Sequence, residues 1–202
     1  MKLYYSPGAC SLSPHIVLCE LGLAHEPVRV DLKSHTTETG ADYYNINPKG
    51  YVPALELADG QVLTEGPAIV QYVADQKPAA GLLPPAGTLE RARVQEWLNF
   101  IGTELHKNFT PLFRPDASAD WKAAARAQID KRLGYVNDAL AGKDYLTGKQ
   151  FCVADAYLFT VLSWTKYMQI DLAPWPHIAA YQARVAARPA VLAAMDSEGL
   201  LK

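Results

Sequence analysis

Lys2-Leu3-Tyr4-Tyr5-Ser6-Pro7-Gly8-Ala9-Cys10-Ser11-Leu12-Ser13 is the stretch on which the reading of this chain turns. A short β-prone run, Lys2–Tyr5, stops at a Pro-Gly break. A thiol follows, and Leu12, Ile16, Cys19 and Leu23 then recur at helical spacing. Cys10 therefore stands within a turn of a helix start. Either Ser11 or Ser13 is the N-cap, which makes Pro14 the third or the first helical residue, where its missing N–H costs nothing. A thiol there feels the positive end of the helix dipole and nearby amide donors, which favour the thiolate and its reactivity. The competing reading is a small apolar side chain packed beneath the turn.

Outward from this stretch, Gly22 suits the helix exit and Pro27–Asp31 reads as a second strand. Residues 32–51 are polar and turn-rich, with a short helix expected near Asp42–Asn45. Val52–Ala58 and Gln61–Thr64 flank Asp59-Gly60, which predicts a tight type I′ hairpin. Thr64-Glu65-Gly66-Pro67 then opens a helix with Thr64 as the expected cap and Ile69, Val70, Tyr72 and Val73 as its core face. The order is βαβαββα. Pro53 opens a strand, a position that asks for no ladder donor.

Residues 79–87 are rich in Ala, Gly and Pro and cannot continue a helix. They separate an α/β domain over 1–78 from an all-helical domain over 88–202. In the second domain Val94, Trp97, Leu98, Ile101, Leu105 and Phe109 form an apolar face. Asn99, Thr103 and His106 fall within roughly 60° of one another on the other side of the helical wheel. That stripe reads as a solvated face, although neutral polar groups replace the usual Lys and Glu. Further helices are expected at Ala119–Leu140, Val153–Met168, Pro176–Ala187 and Pro189–Met195.

The 202 residues carry a net charge of −2, so nothing in the electrostatics points to nucleic acid. Three cysteines make an odd count that suits a reducing compartment. Pro7, Gly8 and Pro14 interrupt any signal-peptide core, and no apolar run is long enough to span a bilayer. A cytoplasmic protein is expected. His15, His25, His35, His106 and His177 are read as not pairing at ligand spacing with each other or with the cysteines, so no metal is expected.

Cys10 and Ser13 form a C-x-x-S spacing that resembles the redox turn of the thioredoxin superfamily with its second cysteine replaced. In such a sheet the position of Pro53 holds a cis-proline facing that turn. Ser6-Pro7-Gly8-Ala9-Cys10-Ser11, Gly50-Tyr51-Val52-Pro53, Leu63-Thr64-Glu65-Gly66-Pro67-Ala68-Ile69 and Val153-Ala154-Asp155 together resemble the bacterial beta-class, cysteine-type glutathione S-transferases. The likeness runs from residue 1 to 202. It implies an N-terminal thioredoxin-like domain followed by an all-helical one, a cytoplasmic homodimer, and a role in detoxification. Glutathione is the implied co-substrate and a small hydrophobic electrophile the second substrate.

By the same resemblance Cys10 lies beside the glutathione sulfur, and Val52, ahead of Pro53, pairs its backbone with the cysteinyl unit in the manner of an added strand. Glu65 and Gly66 hold the γ-glutamyl end, where a helix N-terminus suits a carboxylate and Glu65 an ammonium. His35 lies near the glycyl carboxylate. Asn99, Thr103, Glu104, Leu105 and His106 close the site from the helical half, with His106 orienting or polarising groups. Phe109, Leu112, Phe113, Trp164 and Tyr167 are candidates for the electrophile, Trp164 first among them. Three departures stand out: Gly66 where many relatives have Ser, His35 where many have Lys, and Cys152 where a Ser or Thr usually caps the helix containing Asp155. A Cys10 thiolate would repel a glutathione thiolate, so Cys10 is read as a hydrogen-bond donor in conjugation and a mixed-disulfide partner in redox turnover. A glutaredoxin-like oxidoreductase and a non-catalytic glutathione or ligand carrier are the alternatives.

Overall fold

The strand–helix alternation of the first residues becomes β1 (Lys2–Tyr5), α1 (Leu12–Glu20) and β2 (Glu26–Asp31). A two-residue strand β3 (Thr36–Thr37), absent from the sequence reading, and a 3₁₀ turn at Tyr43–Asn45 follow. Then come β4 (Ala54–Glu56), β5 (Val62–Thr64) and α2 (Gly66–Asp75). This is a computed structural model, and it describes residues 1–201. The five strands lie in the order β3-β2-β1-β4-β5, with β1 parallel to β2 and antiparallel to β4. Register pairs Leu3 with Pro27 on one side and Leu55 on the other. Tyr4, Val28, Val30, Tyr43, Val52 and Ala54 pack together as one buried cluster. The fold is thus a thioredoxin-like mixed sheet followed by a helical domain.

Two local expectations are corrected. The β4–β5 loop is not a type I′ turn, which needs left-handed backbone at both central residues. Only Gly60 is in that region (φ 83°); its N–H bonds Leu57 O at 3.1 Å, and Leu57 N–H bonds Gln61 O at 2.8 Å. Asp59 instead uses its carboxylate to accept the Gln61 N–H at 3.1 Å. On α2, Ile69, Val70 and Val73 are buried, but Tyr72 is exposed.

By their contacts, Met1–Leu83 and the segment from Ala187 on form one compact unit, and Pro84–Ala186 another. The sequence reading placed everything from residue 88 in the helical domain. The last helix, α8 (Pro189–Ser197), instead packs on α1. Arg188 makes a bidentate pair with Glu20 (2.6 and 2.9 Å), and Glu198 reaches His15.

The second unit holds α3 (Leu89–Phe100), α4 (Lys107–Phe113), α5 (Ala119–Leu140), α6 (Val153–Tyr167) and α7 (Pro176–Ala186). Thr88 and Ser118 cap α3 and α5, accepting from Arg91 N and Trp121 N. Between α3 and α4 the helix widens into a π segment, Ile101–His106. α6 is buried along nearly its whole length. Its N-cap is Cys152, as expected: Asp155 Oδ2 accepts from Cys152 N at 2.9 Å and Oδ1 from Leu146 N at 2.9 Å, while the Tyr181 hydroxyl donates to Oδ1 at 3.1 Å. Burial pushes the Asp155 carboxyl up, against the pull of these donors.

Candidate active site

The turn that presents Cys10 is built by hydrogen bonds among its own residues. Ala9 N–H reaches Ser6 O, Leu12 N–H reaches Ala9 O, and Ser13 N–H reaches Cys10 O. Ser11 spends its hydroxyl on Ser6, accepting from its N–H at 3.1 Å and donating to its carbonyl at 3.3 Å. It therefore makes no cap bond to α1, although it stands at the N-cap, and Pro14 is the third helical residue. Gly8, at φ 69°, donates its N–H to Glu198 Oε2 at 2.9 Å. The result is a partly exposed thiol whose Sγ donates to Val52 O at 3.2 Å. The Val52–Pro53 bond is cis. Tyr51 O just before it accepts from Tyr43 Oη (3.2 Å) and Asn47 Nδ2 (2.7 Å), which fixes the approach of this strand. Burial pushes the Tyr43 phenol up to about 12, so it stays a donor.

Around α2, Glu65 rather than Thr64 is the N-cap residue, with left-handed backbone (φ 71°, ψ 110°). A non-glycine residue held there is strained and marks sites where geometry matters. Lys49 Nζ and Tyr51 Oη (3.0 Å) both bond Glu65 Oε1, and Lys49 also reaches Thr64 Oγ1 at 3.0 Å. The hydrogen bond to Glu65 raises the Lys49 pKa; burial first, then Glu65, raises that of Tyr51. Gly66 is buried, and a Cβ added to it would stand 3.7 Å from Pro53 Cγ and 4.0 Å from Ser13 Oγ. That Ser13 hydroxyl is buried without a hydrogen-bond partner among the described residues.

His35 also has left-handed backbone (φ 53°). Its Nδ1 lies 3.0 Å from Gly50 O, and its ring packs on Tyr44 with centroids 4.6 Å apart. A side chain at Gly50 would need left-handed backbone (φ 72°) and a shift of the Tyr44 ring, because a Cβ would lie 2.6 Å from Tyr44 Cε1.

In the helical unit, His106 closes the π segment. Such wide turns recur at functional positions. His106 Nδ1 lies 2.6 Å from Tyr157 Oη, and its ring meets the edge of Trp164 at 4.8 Å. Phe109 and Phe113 each meet Trp164 edge-on at 5.5 Å. Asn99 and Thr103 are exposed and linked, Thr103 Oγ1 donating to Asn99 O at 3.0 Å. Glu104 pairs with Arg132 at 2.6 Å, and Leu105 is fully buried.

Two family models cover most of the chain: the glutathione S-transferase N-terminal domain over residues 8–76 and the C-terminal domain over 100–189. Glutathione S-transferase GstA of Escherichia coli O157:H7 is 52% identical over 200 residues, 99% of this chain and 100% of that protein. The chain belongs to the glutathione S-transferase family. Among solved structures, the ternary complex of BphK, a bacterial GST, superposes with a TM-score of 0.98 at 58% identity, covering 99% of this chain and 100% of that one. A sphingomonad glutathione S-transferase complexed with glutathione gives 0.96 at 50% identity, over 99% and 100%. The beta-class enzyme of Sphingomonas chungbukensis gives 0.97 at 49%, over the whole of both chains. The protein is a beta-class glutathione S-transferase.

Within the first unit of this transferase, Cys10 meets Val52 directly, and Glu65 and His35 gain partners that sequence reading missed. Lys49, Tyr51, Tyr44 and Gly50 support those two positions through tertiary contacts, so no local pattern announces them. Tyr157 was missed in the same way. Its hydroxyl comes close to the π segment, where an added Cβ on Gly102 would lie 3.7 Å from it. Of the aromatic candidates, Phe109 is fully buried and Trp164 nearly so, whereas Phe113 and Tyr167 are exposed. Phe109 thus backs Trp164 rather than presenting a surface of its own.

The spacing argument against a metal does not hold. His15 and Cys19 stand four apart on α1, and one ligand atom from each of His15, Cys19 and His25 lies within 4.8 Å of the other two. Among the described residues no helix is long and apolar enough to cross a membrane.

Proposed function

We propose that this transferase ionises glutathione beside Cys10 and adds the sulfur to a small apolar electrophile, working as a cytoplasmic homodimer. A free thiol with pKa near ~8.5 is only a few per cent ionised at pH 7, so donors at the sulfur raise reactivity directly. Cys10 supplies one such donor. The reading is carried by a single contact, the Cys10 Sγ to Val52 O distance of 3.2 Å. It puts the thiol at the backbone edge where the cysteinyl unit of the tripeptide would pair as an added strand. When the tripeptide binds, its own N–H takes the Val52 carbonyl, and the Cys10 S–H turns to the incoming sulfur.

The γ-glutamyl end is assigned to Glu65, steadied by Lys49 and Tyr51, and to the Gly66 backbone; the glycyl carboxylate is assigned to His35. The family resemblance assigns Asn99 and the Thr103–His106 segment to the same ligand; because Glu104 pairs with Arg132 and Leu105 is buried, these two are assigned through their backbone. Trp164, Phe113 and Tyr167 are assigned to the electrophile.

Conjugation of glutathione to 1-chloro-2,4-dinitrobenzene, measured beside reduction of hydroxyethyl disulfide, tests the reading. Saturable conjugation is the expected result. Activity confined to the disulfide favours the glutaredoxin-like alternative. Retention on glutathione resin without either activity favours a carrier. Sedimentation at micromolar protein tests the dimer.

A further inference from the structure

His15, Cys19 and His25 take no part in the chemistry above. We propose that they form a binding site for a zinc-class divalent ion, held by one thiolate and two imidazoles with a fourth position left to solvent. On α1 the four-residue spacing puts His15 and Cys19 on one face. The helix exit then brings His25 back to them: Gly22 N–H bonds Cys19 O at 3.0 Å and Leu23 N–H bonds Leu18 O at 3.1 Å. The two rings meet edge to face, with centroids 5.2 Å apart at 87°.

What lies behind the rings points to a metal. His15 Nδ1 is 2.9 Å from the buried Glu198 Oε1, and His25 Nδ1 is 2.8 Å from Leu23 O. A carboxylate and a backbone carbonyl are the partners that metal-bound imidazoles take on their second nitrogen. Both bonds leave Nε2 as the ligating atom. Zinc bonds of ~2.0–2.3 Å at tetrahedral angles set ligand atoms roughly 3.3–3.6 Å apart. One ligand atom from each of the three residues already lies within 4.8 Å of the other two, so rotation of the partly exposed Cys19 and His25 side chains closes the site. His15 is buried and fixed, while Cys19 and His25 are partly exposed, which gives an ion a way in. A thiolate with two imidazoles selects zinc over magnesium or calcium, which want oxygen. Binding forms one metal–sulfur and two metal–nitrogen bonds and releases to solvent the thiol proton and any second proton carried by the His15 imidazole beside Glu198.

The test is titration of the chelator-treated full chain with Co²⁺ and then Zn²⁺, without glutathione. The expected result is one Co²⁺ per chain with a thiolate-to-cobalt charge-transfer band that Zn²⁺ abolishes. Cys19→Ala and His25→Ala should each lose the band while keeping native circular dichroism and conjugation activity. Cys10→Ser should keep it, and Glu198→Gln should weaken binding about 10–100-fold. Should Cys19→Ala misfold, His25→Asn provides the same test. The inference is overturned if no stoichiometric site appears, or if the band survives Cys19→Ala and disappears with Cys10→Ser.

Discussion

The Cys10 thiol donates to the carbonyl oxygen of Val52 at 3.2 Å, across 42 residues of sequence. A thiol held in this way is a donor in the resting protein, and donation to a second sulfur needs only a change of acceptor. Removing the donor should therefore slow conjugation without ending it. In Cys10→Ala we expect 1-chloro-2,4-dinitrobenzene turnover to fall about 3–10-fold, the worth of one hydrogen bond. Hydroxyethyl disulfide reduction should fall to background, because no mixed disulfide can form. Equal losses in the two assays would contradict separate roles.

Gly66 and Ser13 suggest a gain of function. A side chain at 66 meets only ordinary contacts, Pro53 Cγ at 3.7 Å and, at 4.0 Å, the Ser13 hydroxyl, which has no hydrogen-bond partner among the described residues. Gly66→Ser should lower the KM for glutathione about 2–10-fold with kcat unchanged. An unchanged or higher KM would show that the backbone alone does the work at this position.

At His35, charge is the variable. A lysine would put a compact ammonium where the imidazole stands. At one fixed neutral pH, His35→Ala should weaken the affinity for S-hexylglutathione, measured by calorimetry, about 2–10-fold, and His35→Lys should restore it. Unchanged affinity in His35→Ala would remove His35 from the carboxylate.

Tyr157 positions His106 through a 2.6 Å hydrogen bond. Tyr157→Phe keeps the ring and deletes the contact. It should lower kcat about 3–10-fold and leave the glutathione KM nearly unchanged. A native kcat would reduce the pair to packing.

Both bonds of the α6 capping box are present, and they are unequal in strength. Asp155 accepts from Cys152 N–H at 2.9 Å, but sulfur is a weak acceptor for the opposite bond. Cys152→Ser should stabilise the protein by about 0.5–1 kcal/mol, a rise of about 1–4 °C in a thermal melt. A lower melting temperature would mean that the buried sulfur is worth more as packing than as a cap.

Much of this was legible in the sequence because local patterns carry it. The Ser6–Ser13 turn and the 22 residues of α5 appear where propensity and spacing put them, and the cap at Cys152 where the family resemblance put it. What escaped depends on distant partners. β3 is two residues long and exists only by pairing with β2. The π segment breaks the 3.6-residue period on which the Asn99–His106 stripe was drawn. Lys49 and Tyr51 matter only because Glu65 meets them. The His15–Cys19 spacing was visible in the sequence, but the third member, His25, joins it only through the backbone reversal after Gly22.

The carboxylate that holds Gly8 and His15 belongs to a residue 190 positions further along than the glycine. During synthesis the loop bearing the reactive sulfur is therefore made early and fastened late, after the intervening helical unit has left the ribosome. A nascent chain arrested before α8 would carry a complete thioredoxin-like sheet, with Gly8 beside its working thiol still lacking the carboxylate that anchors it.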